Sequence, residues 1–96
     1  MDISIREAQR ALASNRSIRL IDVRTPEEYR QGCIAGSINV PLASISSYRG
    51  DKNVQIFVYC QGGGRASKAK QALISAGYTK VTNIGGISGW PLTRPY

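Results

Sequence analysis

Histidine is absent from this chain, and that absence removes whole classes of chemistry. No Ser-His or Cys-His dyad can be assembled, and no metal site that uses imidazole. Cysteine is scarce: the two present, Cys33 and Cys60, do not make a disulfide framework. Long apolar runs are missing, so no transmembrane helix and no membrane association are expected. The opening "MDISIREAQR" carries an acid at position 2 and no apolar core, unlike a secretory signal, so a reducing, cytoplasmic setting is the expectation. Acidic residues are few, six against thirteen Lys and Arg, which leaves a net charge of +7. Such a surface favours anionic partners: small oxyanions, acidic proteins or RNA. The cations are scattered (Arg6, Arg10, Arg16, Arg19, Arg30, Arg49, Lys80) rather than run together. A dedicated nucleic-acid arm would cluster them, so nucleic acid is not the expected partner.

What is present fits one compact α/β domain over residues 1–96, with 42% apolar residues and no linker, repeat or low-complexity stretch. "SIRE" is a capping box, with Ser4 as N-cap and Glu7 reaching back. It predicts a helix that buries Ala8, Ala11 and Leu12 and stops near Asn15. "IRLIDV" (18–23) reads as a buried strand, and "TPEE" (25–28) as a second capping box with Pro26 at the first helical position. "SINVP" (37–41) predicts a brief strand, and "LASISSYRG" a weak helix or turn. "NVQIFVY" (53–59) is the most strand-like segment, being β-branched and aromatic. "ASKAKQALISAG" (66–77) predicts a helix with Ala69, Ala72, Leu73 and Ala76 inward and Gly77 just past its end. "KVTNIGG" (80–86) supplies a last strand. Apolar strands alternating with helices imply a parallel sheet covered on both faces.

In such sheets ligands gather at the carboxyl ends of the strands. Cys60 follows the central strand there, ahead of three glycines, Arg65 and a helix expected to begin about five residues on. Gly62, Gly63 and Gly64 allow a tight turn that aims N–H groups at one point. The helix N-terminus adds partial positive charge, and Arg65 can return its guanidinium to the same concavity. Together these form an anion cradle with sulfur at its base, suited to a thiolate or persulfide. With no base at hand, sulfur itself is the candidate nucleophile. The plainer reading makes Cys60 a buried small hydrophobe and the glycines a tight connection. A nucleotide loop fits poorly, since no Lys-Ser/Thr pair follows at Walker spacing.

"YCQGGGRA" resembles the active-site loop of the rhodanese domain, a Cys-x-x-Gly-x-Arg pattern. "LIDVRTPEEYRQGCIAGSINVPL" (20–42) is similar to that family's first signature, and "AGYTKVTNIGGISGW" (76–90) to its closing segment. The chain thus resembles a single-domain rhodanese from about Ile18 to Trp90. The resemblance implies a rhodanese-like α/β fold of about five mainly parallel strands with helices on both faces. It implies a sulfurtransferase in which Cys60 attacks the outer sulfur of thiosulfate, releases sulfite, and passes the sulfur on to cyanide, a thiol or a protein. Gln61, Gly62, Gly63, Gly64 and Arg65 would bind the anion, with no metal, no cofactor and a monomer expected. The span Cys60 to Arg65 has the six residues of the sulfurtransferases; the related phosphatases and arsenate reductases carry one more. A non-turnover carrier or binding module serving a partner protein is the alternative.

Two positions depart from the family pattern. Cys33 stands where histidine is common, and Ala66 where serine often follows the arginine. Cys33 reads either as a buried hydrophobe or as a thiol that resolves a Cys60 persulfide, the latter requiring Cα atoms within about 7 Å. Asp22 and Arg24 read as architecture, paired with each other or with the loop. Trp90 reads as a lid on one end of the core, and Tyr29 as the residue packing its short helix on the sheet. Tyr48, Tyr78 and Tyr96 carry no special signal.

Overall fold

The structure, a computed structural model, describes residues 2–95; Met1 and Tyr96 lie outside them. Both capping boxes form. Ser4 Oγ accepts the Glu7 N–H at 3.1 Å while Glu7 Oε1 accepts the Ser4 N–H at 3.0 Å, opening α1 (Ile5–Ser14). Thr25 and Glu28 repeat the arrangement at α2 (Pro26–Gln31), whose first residue is the pre-set Pro26. A six-residue 3-10 helix (Leu42–Ser47) follows, and the long helix α3 spans Gly64–Ser75. Its end is a Schellman motif: Gly77, at φ 101°, donates to the Ile74 carbonyl and Tyr78 donates to Leu73. Ala76 is exposed there rather than inward, because the helix has already ended at Ser75.

The strands β1 (Arg19–Asp22), β2 (Ile38–Asn39), β3 (Ile56–Cys60) and β4 (Val81–Gly86) form one parallel sheet in the order β2-β1-β3-β4. Alternation along the strands sorts the core into two layers. Ile21, Val23, Ile56, Val58 and Cys60 face α3 and the 3-10 helix, with Ala66, Ala69 and Leu73 from α3. Leu20, Phe57, Tyr59 and Ile84 face the other way, toward Ala8 of α1 and Trp90. Each large side chain buried in this way contributes about 1.5–3 kcal/mol. Trp90 therefore closes one core layer, as expected.

The sheet has four strands among the described residues, not the five that the family resemblance implied. Beyond β4 the N-terminal segment makes one backbone contact, the Asp2 N–H to the Asn83 carbonyl at 2.6 Å. The Asp2 carboxylate pins that crossing by accepting from the Asn83 N–H at 2.8 Å and from Lys70 Nζ at 2.5 Å. The chain then turns at once into the Ser4 cap, so no ladder extends. The central strand also begins later than its β-branched run. Asp51 Oδ1 accepts the Asn53 N–H at 2.8 Å and its carbonyl accepts from Val54, which spends those residues in a turn.

Candidate active site

From β1 the chain runs first to β2 on one side and afterwards to β3 on the other. This reversal of direction opens a crevice at the carboxyl ends of β1 and β3. Cys60 is the last residue of β3 and is 1% exposed. Its Sγ accepts the Gly63 N–H at 2.8 Å and the Ala66 N–H at 3.4 Å. Gly63 is the N-cap of α3 and Ala66 its third residue, and Gly63 has no side chain of its own to cap the helix. The sulfur thus takes the place of the oxygen that Ser, Thr or Asp would normally present to a free N–H there. Both amide dipoles and the helix dipole favour negative charge on that atom.

Loop geometry narrows the expectation for the three glycines. Gly63, at φ 99°, lies in the left-handed region. Gly62 and Gly64 do not, and a Cβ at either would meet open space. The helix starts at Gly64, two residues earlier than the sequence pattern suggested, because its cap is a cysteine rather than a recognisable capping residue. Gln61 is exposed and, with Arg24, Glu28, Gly32, Ile87 and Leu92, lines a cavity of about 370 Å³ beside the loop.

Arg65 pairs with α2. Its Nη1 and Nη2 donate to Glu28 Oε1 at 2.7 Å and Oε2 at 3.0 Å. A guanidinium in the first turn opposes the helix dipole, and the bidentate carboxylate offsets that opposition. Glu28 holds two helix starts at once, since Oε1 also accepts the Thr25 N–H at 3.0 Å. The Arg65 guanidinium and these Thr25 bonds lower the Glu28 pKa from 4.5 to about 2. Its folded value is the lower one, so the ion pair stabilises the fold fully above pH 4.5 and loses that contribution as pH falls toward 2. Glu28→Gln keeps the cap, since glutamine serves in a capping box, but removes the charge. The variant is expected to be less stable by about 1 kcal/mol at neutral pH, both partners of the ion pair being partly exposed. The gap in melting temperature to the parent should close between pH 4.5 and 2; a gap independent of pH would dissociate Glu28 from the ion pair.

Asp22 and Arg24 pair with each other, as the sequence suggested. Arg24 Nη2 donates to Asp22 Oδ2 at 2.7 Å and to the Gly32 carbonyl at 2.6 Å, with the two side chains 3% and 0% exposed. Asn39 Nδ2 fastens the turn between them through the Asp22 and Arg24 carbonyls. This buried unit joins the ends of β1 and β2 to the start of the segment after α2, and shapes one wall of the cavity. Cys33 is buried, with its backbone paired to Thr93, and it is not among the residues lining the cavity. Both cysteines are free thiols. The neighbouring Tyr29 hydroxyl donates to the Ser37 carbonyl at 2.6 Å, tying α2 to the segment before β2 rather than packing it in the core layers.

Three contributors escaped the sequence reading: the Ala66 amide, Glu28 and Gly86. Gly86 closes the far side of the loop. Gly62 bridges to it, the Ile87 N–H donates to the Gln61 carbonyl at 3.3 Å, and a Cβ on Gly86 would lie 3.1 Å from the Gly62 Cα. A double glycine alone carries no sign of such an approach; Glu28 was visible only as a cap.

Comparison with known proteins agrees with this geometry. The Rhodanese-like domain family matches residues 4–92. Thiosulfate sulfurtransferase PspE of Escherichia coli (strain K12) is 44% identical over 71 residues, covering 70% of this chain and 68% of that protein. Thiosulfate sulfurtransferase 16, chloroplastic, of Arabidopsis thaliana is 43% identical over 88 residues, covering 75% and 72%. A solved structure described as rhodanese with anions from E. coli superposes with a TM-score of 0.74 at 37% identity, over 80% of this chain and 98% of that one. A family match over nearly the whole chain, on a parallel sheet that ends in a cysteine-capped helix, settles the assignment: this chain belongs to the rhodanese-like domain family.

Proposed function

We propose that the chain is a thiosulfate sulfurtransferase that works through a persulfide on Cys60. The observation that carries this reading is the Sγ of Cys60, held by the Gly63 and Ala66 N–H groups at the N-terminus of α3. The thiolate attacks the outer sulfur of thiosulfate; the sulfur–sulfur bond breaks, and sulfite leaves with its electron pair. The persulfide that remains has its negative charge near the same amides and the N-terminus of α3. Cyanide or a thiolate then attacks the terminal sulfur and restores the Cys60 thiolate. The two transfer steps, written from thiolate to thiolate, move no proton, which suits a chain without histidine. Gln61 and the amides of Gly62, Gly63 and Gly64 are the anion-binding groups, while Arg65 acts through Glu28 to fix the start of α3 rather than by touching the anion.

The relatives named as thiosulfate sulfurtransferases support the activity and the donor. The open cavity lined by Gln61, Ile87 and Leu92 leaves room for the acceptor we propose, a small thiophile, a thiol or a protein. Among the described residues no helix is long and apolar enough to cross a membrane. Two unbridged thiols suit a reducing compartment, and a cytoplasmic monomer is the reading we adopt. The Arabidopsis relative is chloroplastic by name, so kinship alone does not fix the compartment.

The test is the intact mass of the protein after brief exposure to thiosulfate and again after cyanide. A gain of one sulfur atom, removed by cyanide as thiocyanate, is expected. Loading that cyanide cannot discharge would leave a sulfur carrier instead, and no loading from thiosulfate would remove it as the donor.

A further inference from the structure

The end of the sheet opposite Cys60 carries a groove that the sulfur chemistry does not use. Three depressions of about 250, 160 and 280 Å³ adjoin along the starts of β1 and β2. The first two share Arg16, Ile18, Leu20 and Gly36; the last two share Arg19 and Ile38. Apolar side chains form the floor, and Ile38, on the edge strand, is 47% exposed. Three arginines, Arg16, Arg19 and Arg49, stand on the rim against one carboxylate, Asp51. None of the three makes an ion pair among the described residues. Arg49 is instead held in place by the Ser46 and Tyr48 carbonyls at 2.9 and 3.0 Å.

We propose that this groove docks an acidic segment of a partner protein, with an aliphatic side chain seated on Ile38. The charge is complementary: carboxylates meet three guanidiniums whose fork geometry suits them. Strand addition is not the mode, because β2 is two residues long and Pro41 follows shortly after it without an N–H to donate. Side chains therefore carry the recognition. Single-stranded nucleic acid fits less well, since it requires open aromatic faces. The one aromatic residue lining the groove, Tyr48, is half-buried with its ring 5.7 Å from that of Tyr78. Arg19 pairs with Ile56, at the start of β3, whereas Cys60 ends that strand, roughly 13 Å away at the usual rise per residue. A partner bound here leaves the sulfur site open, so the groove would tether the domain without occupying it.

The experiment titrates the isotopically labelled full chain with the acetylated peptide Asp-Glu-Leu-Asp-Glu-Leu and follows amide resonances. The shifts are expected to concentrate at Ile18, Arg19, Gly36, Ile38 and Gly50. Replacing both leucines by serine should weaken binding several-fold. The double substitution Arg19→Glu and Arg49→Glu should weaken it by about tenfold or more. Ile38→Ser, at an exposed position, should act like the serine peptide, and thiosulfate turnover should be unchanged in both variants. Shifts spread over Arg6, Arg10, Lys68 and Lys80, indifferent to the leucines, would reduce the effect to net charge and overturn the proposal. Tighter binding of an oligouridylate at the same residues would assign the groove to nucleic acid, and absence of localised shifts would remove it as a site.

Discussion

Cys60→Ser is expected to take up no sulfur from thiosulfate while keeping the fold. The loop converges on one atom: the Gly63 and Ala66 amides both donate to Sγ. An alcohol at that point remains protonated at neutral pH and has little affinity for sulfane sulfur, so no amide arrangement can replace the thiolate. The hydroxyl still accepts the Gly63 N–H, and serine is close to cysteine in size. The position is 1% exposed within the layer formed by Val58, Ala66 and Ala69, so a loss of about 1 kcal/mol is the expected cost. Intact mass should show no added sulfur, and thermal unfolding should stay cooperative. Cys33→Ser should load fully, because the loop amides converge on Cys60 and the Cys33 backbone is held against Thr93. Sulfur found on the Cys60→Ser protein would transfer the chemistry to Cys33.

The arrangement divides labour between backbone and side chains. Positive potential at the sulfur comes from N–H groups, which are fixed by the sheet and by α3 and need no reorganisation when charge arrives. The guanidinium that the sequence offers to the loop is paired with Glu28. Arg65 and Glu28 join α3 to α2, and Asp22 and Arg24 join the end of β1 to the Gly32 carbonyl beyond α2. The two pairs brace the walls of the crevice, so the amides can stay aligned in a domain this small.

Much of this was legible in the sequence because the signals are local. The two capping boxes, the β-branched runs and Gly77 each fix an element through contacts within four or five residues. The start of α3 was misplaced for a reason that is itself functional. The helix uses the sulfur of Cys60 as its cap, and capping rules look for oxygen. The missing fifth strand was an inference from family likeness alone; the residue pattern contained four. Arg65 has two plausible destinations in sequence, the loop it follows and a carboxylate elsewhere. Choosing between them requires knowing that residue 28 faces residue 65 across 37 positions of chain. The approach of Gly86 to the loop is likewise a contact between distant segments, brought together only by the pairing of β3 with β4.

That approach leads to the second large effect. Gly86→Ala is expected to lower sulfur transfer by about a hundredfold or more, although it adds one methyl group at a site with no charge. The new Cβ would fall inside contact distance of the Gln61 carbonyl oxygen, 3.0 Å from its carbon and 3.1 Å from the Gly62 Cα. All three atoms are backbone, so no side chain can swing away. Relief must come from moving the Gln61–Gly62 peptide off β4, which breaks the bond from the Ile87 N–H to the Gln61 carbonyl and drags Gly63 with it. Gly63 carries the N–H that lies 2.8 Å from the sulfur, and a displacement of about 1 Å is enough to misalign it. Gly62→Ala provides the control, since its Cβ meets nothing within 4 Å and its φ is not left-handed. It should keep most of the turnover with the same loop. The measurement is single-turnover loading from thiosulfate followed by mass, alongside urea unfolding to separate a displaced loop from an unfolded chain. If Gly86→Ala loaded as fast as the parent, the loop would not depend on the β4 backbone, and the amide cradle would have to be held by the sheet and α3 alone.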